Sequence, residues 1–191
     1  MARAAGLNEV VVSSDDEAIL AEARACGASA ERREAALATD DTPTVAVLRD
    51  YLEQRPEVEA LVLLQPTSPL RTPADVRACL DALDGADRVV TVTPSEHPVP
   101  WTFRVTDDGR LDPVLGWDAV ATRRQDAEST YRLNGAVYVL RAEVIRRGDP
   151  LIGPGTAAVA MPPERSIDID GELDLEIARL LAARAKPVVE R

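Results

Sequence analysis

A run of five apolar residues, Ala60-Leu-Val-Leu-Leu64, passes without interruption into Gln65-Pro-Thr-Ser-Pro-Leu-Arg71. The run has no polar alternation, as expected of a central strand covered on both faces. Pro66 and Pro69 bar the following segment from a central strand and from a helix interior, which makes it a rigid loop at the strand's carboxyl end. Ligands of open α/β sheets bind at such ends. The rest of the chain repeats this layering: short β-branched runs alternate with longer amphipathic stretches, so the class is α/β.

Glu9-Val-Val-Val-Ser13 is a buried strand, and Asp15-Asp16 then caps a helix carrying Ile19, Leu20 and Ala23 that stops at Gly27. Thr42 or Thr44 opens a second helix with Val45, Leu48 and Leu52 on one face, ending near Pro56. Pro73 starts a third with Val76, Leu80 and Leu83, and Arg88-Val-Val-Thr-Val-Thr93 is the next strand. Residues 94–133 hold Pro98, Pro100, Trp101, Phe103 and Trp117, too long and too aromatic for a plain connection, so this excursion is a functional or interface element. Strand character returns at Gly135-Ala-Val-Tyr-Val-Leu140 and at Ala157-Ala-Val-Ala-Met161. From Gly171 an amphipathic helix is built on Leu173, Ile177, Leu180 and Leu181.

Composition narrows the chemistry. The 191 residues form one domain without an internal repeat or flexible linker, and 22 basic against 33 acidic residues give a net charge of −11, which argues against nucleic acid as a partner. No apolar run approaches the roughly 20 residues of a membrane span, and the opening residues carry no signal-like stretch, so the expected compartment is the cytoplasm. Cys26 and Cys79, read as buried helix residues, make neither a metal cluster nor a disulfide framework. His97 is the one histidine, sits between Glu96 and Pro98 as a loop residue, and leaves zinc catalysis without its usual ligands. Catalysis would fall to carboxylates, arginines, amides and a hard metal ion.

Four constellations fit that chemistry. In Ser166-Ile-Asp-Ile-Asp170, if extended, Asp168 and Asp170 share a face while Ile167 and Ile169 face the core. Two carboxylates so placed suit a Mg²⁺ that bridges protein and nucleotide; alternatively Asp170 caps the following helix and Asp168 is solvated. In the proline loop, Gln65 offers an amide, Thr67 and Ser68 hydroxyls and Arg71 a bidentate fork, or else Thr67, Ser68 and Thr72 cap the next helix. Tyr131-Arg-Leu-Asn-Gly-Ala136 enters a strand with an amide and a glycine that admits a ligand to the backbone, which turn chemistry at Asn134-Gly135 also explains. Arg123 and Arg124 beside Gln125 form a positive spot for a carboxylate, or a solvated arginine pair.

In order, Val10-Val-Val-Ser-Ser-Asp15-Asp16, Leu37-Ala-Thr-Asp40, Leu64 through Arg71, Arg123-Arg-Gln-Asp126, Tyr131 through Ala136, and Ser166 through Asp170 followed by Glu172-Leu-Asp174-Leu175 resemble the acylneuraminate cytidylyltransferases, or CMP-sialic acid synthetases, over essentially the whole chain. The resemblance implies a Rossmann-like nucleotide-diphospho-sugar transferase fold, a mostly parallel sheet with helices on both faces, and a CMP-sugar made from CTP and a nonulosonic acid with release of pyrophosphate. It implies that Asp168 and Asp170 hold Mg²⁺, that Gln65 and its loop, with Thr67 and Ser68, meet the sugar acid while Arg71 anchors the loop, and that Arg33 and Thr39 approach the cytidine or its ribose, although Glu34 stands where the family has proline. It further implies that Arg124 and Gln125 reach the sugar on the neighbouring subunit of a homodimer joined through residues 94–133, and that Tyr131 and Asn134 complete the sugar pocket.

The family opens with a strand and a Pro-Ala-Arg-Gly-Gly-Ser-Lys-Gly signature, followed by Lys-Asn, that cradles the triphosphate. This sequence has no such stretch, and its single lysine is Lys186. The expectation is therefore an N-terminally incomplete cytidylyltransferase domain lacking its first strand and phosphate loop, about 30 to 45 residues by ordinary element lengths. The chain as written is expected to give no measurable CMP-sugar synthesis; CTP-dependent pyrophosphate release lost in Asp168→Ala would contradict this. Two other readings are a catalytically inactive remnant that keeps the sugar pocket and dimer arm, and a keto-deoxyoctulosonate cytidylyltransferase, which the Gln65 loop and residues 166–170 fit less well.

Overall fold

The computed structural model describes residues 1–185; Lys186 lies outside them. In chain order the elements are β1 (Val11–Ser14), α1 (Glu17–Ala25), β2 (Ser29–Arg32), α2 (Thr44–Glu53), β3 (Ala60–Leu63), α3 (Pro73–Ala82), β4 (Arg88–Pro94), β5 (Phe103–Val105), β6 (Leu111–Pro113), β7 (Tyr131–Arg141), α4 (Ala142–Arg146), β8 (Ala157–Ala160) and α5 (Glu172–Ala185). Strands β1 and β2 form a parallel pair, β5 and β6 an antiparallel hairpin, and the main sheet runs β3-β7-β4-β8.

Three of the four main-sheet strands point the same way. Strand β7 enters between β3 and β4 antiparallel to both, while β4 and β8 pair in parallel. Alternation along β7 sends Val137 and Val139 to one face, against Val76, Cys79 and Leu83 of the α3 region. Tyr138 and Leu140 go to the other, with Leu48 and Leu52 of α2 and Ile145 of α4. Helices thus cover both faces. Leu61 and Leu63 of β3 pack against the second cluster and Val62 against the first, so β3 meets apolar groups on both sides, but Ala60 is exposed and the other three residues are only half-buried. The strand is not central: it pairs only with β7 and forms the sheet's edge among the described residues.

Local signals are met where the chemistry is local. Asp16 accepts from the Ala18 and Ile19 amides, and Gly27 ends the α1 turn at φ 76°. Helix α2 begins at Thr44 without a side-chain cap, Thr42 pairing instead with Thr39 at 2.7 Å. Thr72 and Asp75 form a reciprocal capping box at the start of α3, with Pro73 in its first turn.

Three expectations need correction. Ile19 is half exposed, because α1 meets the fold through Leu20 and Ala23. In α5, Leu173, Ile177 and Leu180 lie on the outer face and the helix seats itself through Ala178, a small residue that allows close approach. Cys26 is exposed beyond the last turn of α1, whereas Cys79 is buried. Burial pushes the Cys79 thiol up to about 12, assisted by the Asp75 charge, so it is no nucleophile.

Candidate active site

The register of β4 against β7 slips between Val90 and Val92, whose partners are Tyr138 and Leu133. The slack is a bulge at residues 134–137, the kind of irregularity that re-aims side chains beside functional sites. Side chains replace the missing ladder bonds. The Thr91 hydroxyl accepts the Val137 amide at 2.9 Å and donates to Asn134 Oδ1 at 2.6 Å, which also accepts the Ala136 amide at 3.2 Å. Asn134 Nδ2 donates to Ser166 Oγ at 3.0 Å and approaches the Met161 sulfur at 3.4 Å. Asn134, Thr91 and Ser166 are all buried.

Gly135 takes φ 70° within this bulge, a conformation that side chains disfavour. A Cβ there would lie 2.7 Å from Gln65 Oε1, 3.2 Å from Ser68 Oγ and 3.4 Å from Asp168 Oδ2. The glycine thus marks the point where the proline loop, the bulge and the acidic segment converge. Ser68, fully buried, donates to the Asn134 carbonyl at 3.1 Å with Asp168 Oδ1 at 3.4 Å, and the Ile169 amide donates to the Thr67 carbonyl at 2.9 Å. Arg71 braces the loop from beneath by donating to the carbonyls of Gln65 and Ser68. Burial lowers its pKa, and its Nε has no partner.

The alternatives at the loop resolve by residue. Thr72 caps α3; Ser68 faces the bulge, and Thr67 bonds the acidic segment through its backbone. At the acidic segment the capping role belongs to Asp174, whose carboxylate accepts from the amides of Asp170 at 3.2 Å and Gly171 at 3.0 Å. Asp168 is half-buried, Asp170 is exposed, and neither enters an ion pair among the described residues. Residues 166–170 are irregular rather than a sheet strand.

Two hard-oxygen carboxylates one residue apart, with no cluster of three potential ligands among the described residues, make a partial donor set. Mg²⁺ is ordinarily held by one or two carboxylates, with water and phosphate oxygens completing its octahedron. The residues fit that ion.

Several predicted residues lie apart from Gly135. Asn134 is a hub beneath the site rather than part of its surface, because every polar atom of its amide is already engaged inside the protein. Tyr131 is 57% exposed at the root of the excursion. Arg33 is tied to Ser13 at the carboxyl end of β1, donating from Nη2 to its carbonyl at 2.7 Å, and Thr39 is exposed. Arg123 is neutralised by Asp126 at 2.8 and 3.1 Å. Arg124 donates to the Glu96 carbonyl at 2.6 Å and lines a cavity of about 150 Å³ with Pro94, Ser95 and Thr130; Gln125 beside it is exposed. A roomier cavity of about 710 Å³, lined by Val10, Val12, Ile19 and Ala23, contains none of the convergent polar groups.

Sequence reading misses Tyr138, a half-buried residue of β7 whose phenol is pushed up by burial and then by the Asp168 charge, which places it near the acidic segment. Its signal is position: it follows the bulge in the same strand. The reading also misses Arg165, which donates to Asp75 from Nε at 3.1 Å and Nη2 at 2.7 Å. Burial alone would raise the Asp75 pKa, but Arg165 and the Thr72 amide and hydroxyl outweigh it and hold the carboxyl below its ordinary value. A depressed carboxylate adds stability that is present above the unfolded value of about 3.9 and lost as pH falls through the folded value. Asp75→Asn is therefore expected to flatten the acid limb of the stability curve below about pH 4, as measured by urea unfolding across pH; an unchanged limb would contradict the assignment.

No family model matches the chain. Among solved structures, CMP:2-keto-3-deoxy-manno-octonic acid synthetase complexed with CTP superimposes with a TM-score of 0.67 at 16% identity, over 95% of this chain and 85% of that one. The 4-diphosphocytidyl-2C-methyl-D-erythritol synthase of Anaerococcus prevotii gives 0.65 at 14%, over 96% and 82%. The fold is that of the Rossmann-like nucleotidyltransferases. Among curated proteins, the N-acylneuraminate cytidylyltransferase of Streptococcus agalactiae is 30% identical over 165 residues, 85% of this chain and 40% of that protein. N-acylneuraminate cytidylyltransferase A of Danio rerio is 30% identical over 174 residues, 90% and 40% respectively, and the Escherichia coli O18:K1:H7 protein 29% over 173, 89% and 41%. The chain is thus similar in sequence to N-acylneuraminate cytidylyltransferases over most of its own length, and it spans about two fifths of the length of these relatives.

Proposed function

We propose that this chain carries the sugar-acid and metal half of a site that joins CTP to a nonulosonic acid, giving the CMP-sugar and pyrophosphate. The observation that carries the reading is the convergence of Gln65, Ser68 and Asp168 on Gly135, where no side chain intervenes. The Gln65 amide presents donors and acceptors suited to a polyhydroxylated acid; Arg71 fixes the loop that carries it by donating to the Gln65 main-chain carbonyl, and Ser68 ties that loop to the Asn134 carbonyl. Asp168 and Asp170 would hold Mg²⁺, which supplies charge neutralisation for the phosphates. The anomeric 2-hydroxyl of the sugar acid attacks the α-phosphorus; a new O–P bond forms, the bond from the α-phosphorus to the oxygen it shares with the β-phosphate breaks with its electrons going to the departing pyrophosphate, and the hydroxyl proton passes to water. No protein nucleophile is required, in keeping with a buried, inert Cys79.

Two copies form the active assembly in this reading. Val105, Leu111, Leu115 and Trp117 are exposed, all within residues 94–133, a concentration of apolar surface that monomeric proteins seldom leave uncovered. Sedimentation equilibrium should give twice the chain mass; the mass of one chain at micromolar concentration would contradict it. The unpaired thiols Cys26 and Cys79 suit a reducing compartment, the cytoplasm.

Saturation-transfer NMR with N-acetylneuraminic acid tests the sugar assignment. Transfer is expected for the wild type and its loss for Gln65→Ala, with weaker transfer to 3-deoxy-manno-octulosonic acid. Equal transfer to wild type and variant would remove Gln65 from the site, and stronger transfer to the octulosonic acid would favour the keto-deoxyoctulosonate reading.

A further inference from the structure

Residues 166–170 are held in place by contacts that, among the described residues, engage their carboxylates only through the long Ser68 Oγ bond to Asp168 Oδ1 at 3.4 Å. Arg165, directly before Ser166, grips both oxygens of Asp75, and Asp75 also accepts the Thr72 amide and hydroxyl at 2.7 Å each. Thr72 in turn follows Arg71, whose guanidinium holds the Gln65 and Ser68 carbonyls. The contacts close a ring: from the Gln65 loop through Arg71 to the α3 cap, across to Arg165, along the chain to Asp168, and back through Ser68 Oγ and the Thr67 carbonyl.

A helix cap needs only the reciprocal Thr72 and Asp75 bonds. Arg165 is an addition from a segment 90 residues away in sequence, and its side chain is 35% exposed against 7% for Asp75. Arg165 belongs neither to the Thr72 and Asp75 cap nor to either apolar cluster, so its removal is expected to act first on the entry to the acidic segment. We propose that Arg165, acting through Asp75, is a positioning residue that fixes Asp168 and Asp170 for a divalent cation. This rests on the reading that those carboxylates bind one.

The test is a titration of the full chain with Mn²⁺ alone, followed by water-proton relaxation, in the wild type and in Asp168→Asn, Arg165→Met, Asp75→Asn and the double variant of the last two. Arg165→Met keeps the aliphatic stem and removes the charge. It is expected to weaken Mn²⁺ binding about tenfold, as partners behind metal ligands do, while circular dichroism shows a folded protein at the titration temperature. Because the pair acts as a unit, the double variant should bind no more weakly than Asp75→Asn alone. Asp75→Asn, which can retain the cap through its amide oxygen, gives the same reading should Arg165→Met not fold. Wild-type binding that is lost in Asp168→Asn but unchanged in a folded Arg165→Met or Asp75→Asn would overturn the positioning role and leave the metal reading intact. Absence of Asp168-dependent binding in the wild type would overturn both.

Discussion

Asn134→Ala is expected to lower folding stability by about 2 to 5 kcal/mol, since each buried polar group left unsatisfied costs about 1 to 3. The truncation strands the Ala136 amide, leaves the Thr91 hydroxyl only the longer bond to the Val137 carbonyl at 3.3 Å as donor, and takes from Ser166 one of its two bonds. These groups hold the bulge open around Gly135, so the same variant should also lose sugar-acid and cation binding. Urea unfolding checks the first effect. A residue that merely touches substrate would leave stability unchanged; a loss below about 0.5 kcal/mol, the range of ordinary surface substitutions, would place Asn134 in the pocket wall as the family resemblance implies.

Asp168→Asn should have the opposite profile: little change in stability, and a loss of divalent-cation affinity of about a hundredfold, the upper range for disturbing a metal's surroundings. The amide is isosteric, and its oxygen can still face the Ser68 hydroxyl, 3.4 Å away in the wild type. What disappears is the charge, and with it one of two carboxylates available to the ion. An independent readout exists in Tyr138. Burial raises its pKa first and the Asp168 charge adds to that, so neutralising Asp168 should move the phenol back toward its ordinary value. Ring NMR shifts against pH would follow it, and an unmoved titration would show that the two groups are not neighbours.

How much of this is written locally in the chain differs element by element. Asp16, Gly27 and the Thr72 to Asp75 box are legible because each partner lies within a few residues. The proline loop is legible because Pro66 and Pro69 exclude the alternatives. The bulge is not: Asn134 depends on Thr91, 43 positions away, and on Ser166, 32 positions away, and a side chain that could equally face a ligand or a neighbour carries no local mark of its choice. The same holds for Arg165 and Asp75. The run at residues 60–64 announces apolar contacts on both faces, but sheet order is a property of the other strands, so β3 falls at an edge among the described residues and is only half-buried. In α5 the periodicity of Leu173, Ile177 and Leu180 is real, yet the packed face is the one carrying Ala178. An apolar stripe records an amphipathic helix without recording which side meets the fold.

The central claim is that Asp168 and the Gln65 loop serve one site, cation and sugar acid side by side. Its most direct test is the paramagnetic relaxation of N-acetylneuraminic acid protons by substoichiometric Mn²⁺ in the presence of the chain. The account predicts strong broadening of the C3 methylene protons with wild type, lost with Asp168→Asn and lost with Gln65→Ala. Broadening that is the same in wild type and both variants, or absent when cation and sugar acid each bind, would contradict it.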